Sequence, residues 1–192
     1  MFKCITAFLL EDSFVFNSYF QSMKNIFLIG MPSSGKSTLG RQLAKRLEYQ
    51  FVDADDLIEN QEITSISDIF KYKGEDYFRL IESKILKSIQ PNQKIIVATG
   101  GGMPCFHDGM DFIKANGTSI FLNVSPEDLL KRIQKSDINN RPLINKKTSL
   151  QELLANIKKR YEDRLKYYEQ ADIQIDGSID VEQILWLLEE IN

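Results

Sequence analysis

Apolar positions along the chain follow two periods in alternation. "NIFLI" (25–29) is a short, nearly continuous apolar run, the pattern of a strand buried on both faces. Residues 37–47 then switch to helical spacing, with Leu39, Leu43 and Leu47 on one face. "YQFVDAD" (49–55) predicts a second strand running into acids; "KIIVAT" (94–99), "TSIFLNV" (118–124) and "DIQID" (172–176) predict three more. Helices are predicted over 65–72 and over 75–89, where Phe78, Ile81, Ile85 and Ile89 share a face. Others are predicted over 108–115, ended by Asn116-Gly117, and over 127–135, opened by Ser125 as cap and Pro126 at the first position. The last two cover 150–170 and 180–191, with Trp186 and its Leu and Ile neighbours read as core. Strands alternating with helices predict an α/β fold with a mostly parallel sheet. Ligands of such sheets bind beyond the carboxyl ends of the strands.

The unusual residues cluster at those ends. "GMPSSGKST" (30–38) has the form GxxxxGK[ST], between an apolar strand and an amphipathic helix. Gly30 and Gly35 let the backbone turn through Met31, Pro32, Ser33 and Ser34 so that the N–H groups of the loop, which Pro32 lacks, face inward around phosphates. Lys36 reaches the β- and γ-phosphates and Ser37 can ligate magnesium, while Thr38 also fits a place on the helix surface. Neither a guanine-reading NKxD nor a correctly spaced DxxG follows, which disfavours a regulatory GTPase.

"FVDADD" places Asp53 and Asp55 two apart, on one face if the strand continues, with Asp56 turned away as a helix cap. Phosphoryl transfer needs one carboxylate near the metal and one group to orient the attacking hydroxyl, and this pair suits both tasks. "ATGGG" (98–102) ends the third strand on three glycines, where no side chain is tolerated. Arg79 has a planar guanidinium suited to a carboxylate, yet Glu75 and Glu82 at helical spacing also allow a surface ion pair.

Taken in order, "GMPSSGKSTLGRQLAKRL", "FVDADDLIE", "FRLIE" (78–82), "ATGGG" and "NRPLI" (140–144) closely resemble shikimate kinase, of the nucleoside-monophosphate-kinase-like P-loop superfamily. The resemblance runs from about Met23 to the C-terminus. It implies a three-layer α/β/α P-loop kinase fold with a five-stranded parallel sheet of order 2-3-1-4-5. It also implies a small helical substrate-binding insertion over about 54–90 and a mobile lid over about 136–149. The implied activity is transfer of the ATP γ-phosphoryl group to the 3-hydroxyl of shikimate, with Mg²⁺ as cofactor. The catalytic residues so implied are Lys36, Asp55 and Arg141, with Arg141 closing over the phosphates. ATP is implied at Gly30 to Thr38 together with Arg132 and Arg141, and metal at Ser37 and Asp53. Shikimate is implied at Asp55, Arg79, Gly100, Gly101, Gly102 and one arginine of the long helix. Arg164, with Tyr168 four residues on, fits the spacing, but Ala171-Asp172 comes one residue early, so Arg160 competes. Gly101→Ala is expected to raise the KM of shikimate far more than that of ATP. Another kinase of the superfamily, acting on gluconate or AMP, is the rival reading, and a catalytically weak nucleotide-dependent binding module is the second.

The bulk numbers narrow this little further. The chain has 192 residues, 43% of them apolar and 27% charged, as a single soluble domain would. Its net charge of −3 gives no overall pull toward nucleic acid or membrane, and neither is expected as a partner. Cys4 and Cys105 lack paired-ligand spacing, so reduced thiols in a cytoplasmic monomer are expected. Residues 1–22 form an extension, or a short helix docking through Phe8, Phe14 and Phe16. They have no apolar run near the roughly 20 residues of a membrane span. Cys105 is expected as buried filler and His107 at a partly exposed helix start.

Overall fold

The computed structural model describes residues 24–136, 149–177 and 181–190. The extension 1–22 and the expected lid arginine, Arg141, lie outside the described residues.

Strand β1 (Asn25–Ile29) is central, and it pairs in parallel with β3 (Ile95–Ala98) on one side and β4 (Gly117–Asn123) on the other. β2 (Gln50–Asp53) and β5 (Ile173–Asp176) complete a parallel sheet of order β2-β3-β1-β4-β5. Every residue of β1 and β3 is buried, because helices cover both faces. Alternate residues point to opposite layers. Phe27, Ile29, Val97 and Phe121 pack toward α4 (Gly74–Ser88) and α7 (Leu150–Tyr168), while Ile26, Leu28, Ile96 and Ile120 pack toward α1 (Lys36–Leu47) and α8 (Val181–Glu190). Each such side chain contributes about 1.5–3 kcal/mol on burial. This is the expected α/β/α sandwich.

Between β2 and β3 lie α2 (Ala54–Glu62), α3 (Ile66–Tyr72) and α4. Phe78, Ile81 and Ile85 of α4 are buried, as their spacing predicts, and Ile89 follows them into the core. A 3₁₀ turn at Met103–Cys105 and α5 (Gly109–Asn116) follow the glycine run, and α6 (Pro126–Ser136) follows β4. The Ser125 hydroxyl accepts the Asp128 N–H at 3.1 Å, the predicted cap of α6.

Two expectations need correction. The second strand stops at Asp53 instead of reaching residue 55, because the Asp53 carboxylate accepts the Asp55 N–H at 3.1 Å and caps α2. Asp55 and Asp56 therefore sit in the first helical turn, and Asp53, not Asp56, is the cap. The helix before β4 does end at Asn116-Gly117; Gly117 caps α5 and opens β4 in extended backbone, where a Cβ would overlap the Asn25 carbonyl. Trp186 is 59% exposed, since Ile184, Leu185 and Leu188 already fill the apolar stripe of α8.

Candidate functional site

The loop between β1 and α1 wraps tightly at the carboxyl edge of the sheet. Gly30 (φ 140°) and Gly35 (φ 105°) take backbone conformations that other residues avoid. Lys36, 8% exposed, folds its ammonium back onto the Gly30 and Met31 carbonyls at 3.0 and 2.9 Å. Burial pulls its pKa down to about 8, although the Asp55 and Asp53 carboxylates oppose that. Ser37 donates to Asp53 Oδ2 at 2.7 Å. Pro32, Ser33, Gly35, Lys36, Ser37 and Thr38 line a cavity of about 530 Å³ whose far wall is Asp53, Asp55, Asp56 and Gly101.

Arg132 of α6 reaches across to this loop and donates to the Ser34 carbonyl at 2.6 Å. It also lines a neighbouring recess of about 410 Å³ whose wall includes Leu39, Leu122 and Ile175. That surface suits the flat, largely apolar face of a nucleobase. Met31 differs from its loop neighbours. Its side chain is 4% exposed, and its sulfur lies 3.9 Å from both Arg164 Nη1 and the Tyr168 hydroxyl, so its backbone is what faces the phosphate side.

A second cavity, of about 460 Å³, opens between α3, α4 and α7, with Phe70, Glu75, Arg79, Cys105, Phe106 and Arg164 in its lining. Arg79 is 8% exposed; its pair with Glu82 is buried, while its pair with Glu75 reaches solvent on the glutamate side. Nη1 donates to Glu82 at 2.5 Å and Nη2 to Glu75 at 2.6 Å. The guanidinium carbon lies 4.6 Å from the Phe106 ring centre and 5.3 Å from that of Phe78. Burial pushes the Glu82 carboxyl up and the Arg79 charge opposes it. Arg160 and Arg164 both line this cavity, but Arg164 is half-buried beside Met31, while Arg160 is exposed at the rim.

The glycine run lies between the two cavities: Gly101 lines the first and abuts Arg164, which lines the second. None of Gly100, Gly101 and Gly102 has a positive φ, so their role is spatial. A Cβ on Gly100 would lie 2.5 Å from Glu82 Oε1 and 3.0 Å from Asp55 Oδ1. On Gly101 it would lie 2.8 Å from Pro32 Cδ and 2.9 Å from Arg164 Nη1, and on Gly102 it would overlap the Arg79 guanidinium. The missing side chains make room for protein side chains on both sides of the site. The Tyr168 hydroxyl donates to the Gly101 carbonyl and ties α7 to this backbone. Burial pushes the Asp55 carboxyl above the usual aspartate range, the Asp53 carboxylate adds to that, and Lys36 opposes it. A carboxyl raised in this way is suited to taking a proton.

Glu75, Glu82 and Phe106 were not singled out from the sequence as site residues, and Tyr168 served only as a spacing mark. Glu82 did carry a signal, at three residues from Arg79, but its burial did not. Cys105 is half-buried and walls the cavity instead of filling the core, and burial pushes its thiol up to about 11. His107 is exposed just before α5. Among the described residues, no three His, Cys, Asp or Glu side chains converge as a metal cluster, and no helix is long and apolar enough to cross a membrane.

A family model described as shikimate kinase matches residues 32–190. A shikimate kinase of Clostridium botulinum is 43% identical over 150 residues, which is 78% of this chain and 85% of that one. Another, from Parabacteroides distasonis, is 40% identical over 155 residues, 81% and 88% of the two chains. The solved shikimate kinase from Acinetobacter baumannii in complex with shikimate superposes with a TM-score of 0.79 at 28% identity, covering 92% of this chain and 98% of that one. A gluconokinase from Sinorhizobium meliloti, at 17% identity and a TM-score of 0.50, shares the fold alone.

Proposed function

The chain belongs to the shikimate kinase family and phosphorylates shikimate at the expense of ATP, and on that premise we propose how its residues divide the work. The observation that carries the proposal is the place of Gly101, which lines the phosphate-loop cavity and lies against Arg164, a wall of the arginine-lined one. ATP lies with its phosphates on the 30–38 loop. Lys36 is drawn off the Gly30 and Met31 carbonyls toward the β- and γ-oxygens, and Arg132 borders the base. Shikimate lies in the arginine-lined cavity, its carboxylate between Arg79 and Arg164, its 3-hydroxyl toward Asp55. Arg164 is favoured over Arg160 because it is half-buried beside Gly101.

Asp55 orients the 3-hydroxyl and accepts its proton as the oxygen bonds to the γ-phosphorus. The bond to the β–γ bridging oxygen breaks and ADP departs. Little covalent chemistry falls to the protein, so alignment and charge neutralisation supply most of the rate. The Ser37 hydroxyl and Asp53 carboxylate are hard oxygen donors side by side, a set that fits Mg²⁺ held partly by phosphate oxygens. The ion would neutralise charge on those phosphates; Ser37 and Asp53 would hold it. Arg141, in the RPL sequence, closes over the phosphates. All these groups come from one chain, which supports a monomer as the working unit, and the sparse cysteines, without paired-ligand spacing, support a cytoplasmic setting.

A coupled ADP-release assay with shikimate, gluconate and AMP tests the acceptor. Shikimate alone should drive ADP production. Equal turnover with gluconate or AMP would overturn the assignment of the arginine-lined cavity.

A further inference from the structure

Arg79 is held from two sides that are unlike each other. On the protein side Nη1 donates to Glu82, whose side chain is 2% exposed and packs behind Gly100. On the cavity side both Nε and Nη2 donate to the same oxygen of Glu75, at 3.1 and 2.6 Å, and that side chain is 59% exposed. The Nε–Nη2 edge is one of the two on which a guanidinium grips a carboxylate with paired donors. Glu75 lines the acceptor cavity, whereas Glu82 does not.

We propose that Glu75 is an internal stand-in for the substrate's carboxylate, displaced when a carboxylated acceptor enters. The inference rests on the assignment of Arg79 to that carboxylate. Arg79 is wedged by Phe78 and Phe106 and by the missing Cβ of Gly102, so the guanidinium stays and the anion exchanges. Glu82 keeps the buried cation neutralised during the exchange, when an unpaired charge would be costly. Glu75 has the means to leave. It sits in the first turn of α4, next to Gly74 with its left-handed backbone and open surroundings. An acceptor with a carboxylate replaces one ion pair by another. An acceptor without one has nothing to offer Arg79 and leaves Glu75 in place, which biases the site toward anions.

Shikimate binding to the full chain, measured by calorimetry, tests this. Glu75→Gln and Glu75→Ala should each tighten binding by about two- to five-fold, the range for a half-exposed pair. Asp76→Asn removes an exposed charge from the same helical turn without touching Arg79 and should leave affinity unchanged. The uncharged carboxamide of shikimate should bind no more tightly to the Glu75 variants than to the parent. Unchanged or weaker shikimate binding in both Glu75 variants, or equal tightening with Asp76→Asn, overturns the proposal. Arg79→Lys keeps a cation for Glu82 but loses the planar edge, and should weaken shikimate about tenfold or more. If it does not, the carboxylate assignment itself fails, a result separate from failure of the stand-in.

Discussion

The Ser37 hydroxyl donates to one oxygen of Asp53 at 2.7 Å while the other oxygen accepts the Asp55 N–H at 3.1 Å. One carboxylate thus serves the phosphate loop and starts α2. The two roles separate by substitution. Asn caps helices as well as Asp does, so Asp53→Asn should unfold in urea near the parent midpoint, whereas Asp53→Ala should lose about 1 kcal/mol. Both should lose activity at limiting Mg²⁺. Parent-like activity of Asp53→Asn under that limit would remove Asp53 from the metal side.

Asp55→Asn should lower kcat by about 10²- to 10⁴-fold, the usual range for a lost general base. Nucleotide affinity, measured by ATP titration, should stay near the parent value. A parallel loss of ATP binding would mean that Asp55 shapes the phosphate side instead.

Lys36 predicts a pH limit. Its ammonium titrates at about 8 in the free protein because burial disfavours the charge. The cation is present below that pH and lost as pH rises through it. The kcat/KM for ATP reports the free enzyme, so it should fall above about pH 8. At saturating ATP the phosphates favour the protonated form, so kcat should hold to higher pH. Identical profiles for the two would exclude Lys36 as the titrating group.

The glycine run gives a paired test. Read from the sequence, Gly101→Ala is expected to raise the shikimate KM far more than that of ATP. Its Cβ would press on Pro32 of the phosphate loop as well as on Arg164, so steady-state kinetics should show both KM values raised. Gly102→Ala meets the Arg79 guanidinium, and there the shikimate KM should rise with the ATP KM spared.

Arg141→Ala should keep ATP binding and lose about 10³-fold or more in kcat, as removal of an arginine from a transferring phosphoryl group does. Near-parent turnover would end its assignment.

The sheet and the phosphate loop were legible in the chain because both write their physics locally. A buried strand is a run of apolar residues, and the loop is a motif of fixed spacing. Asp55 reaches the cavity from the first turn of a helix and not from a strand face. Asp-Ala-Asp-Asp reads as strand or as capped helix, and only the Asp53 hydrogen bond decides. Arg79 with Glu75 and Glu82 reads as a solvated helix face until tertiary packing buries it. Trp186 was misjudged because an amphipathic stripe does not say which flank is already full.

The glycines at 100–102 carry no functional group, yet they set the spacing of several that do. Arg79 and Arg164 come to rest against backbone stripped of Cβ atoms, so the gap between the two guanidinium heads is measured out by the main chain. A residue with a side chain there could only widen the interval. In this sense the run works as a ruler, and the spacing of the groups around it is written in three residues that carry no side chain of their own.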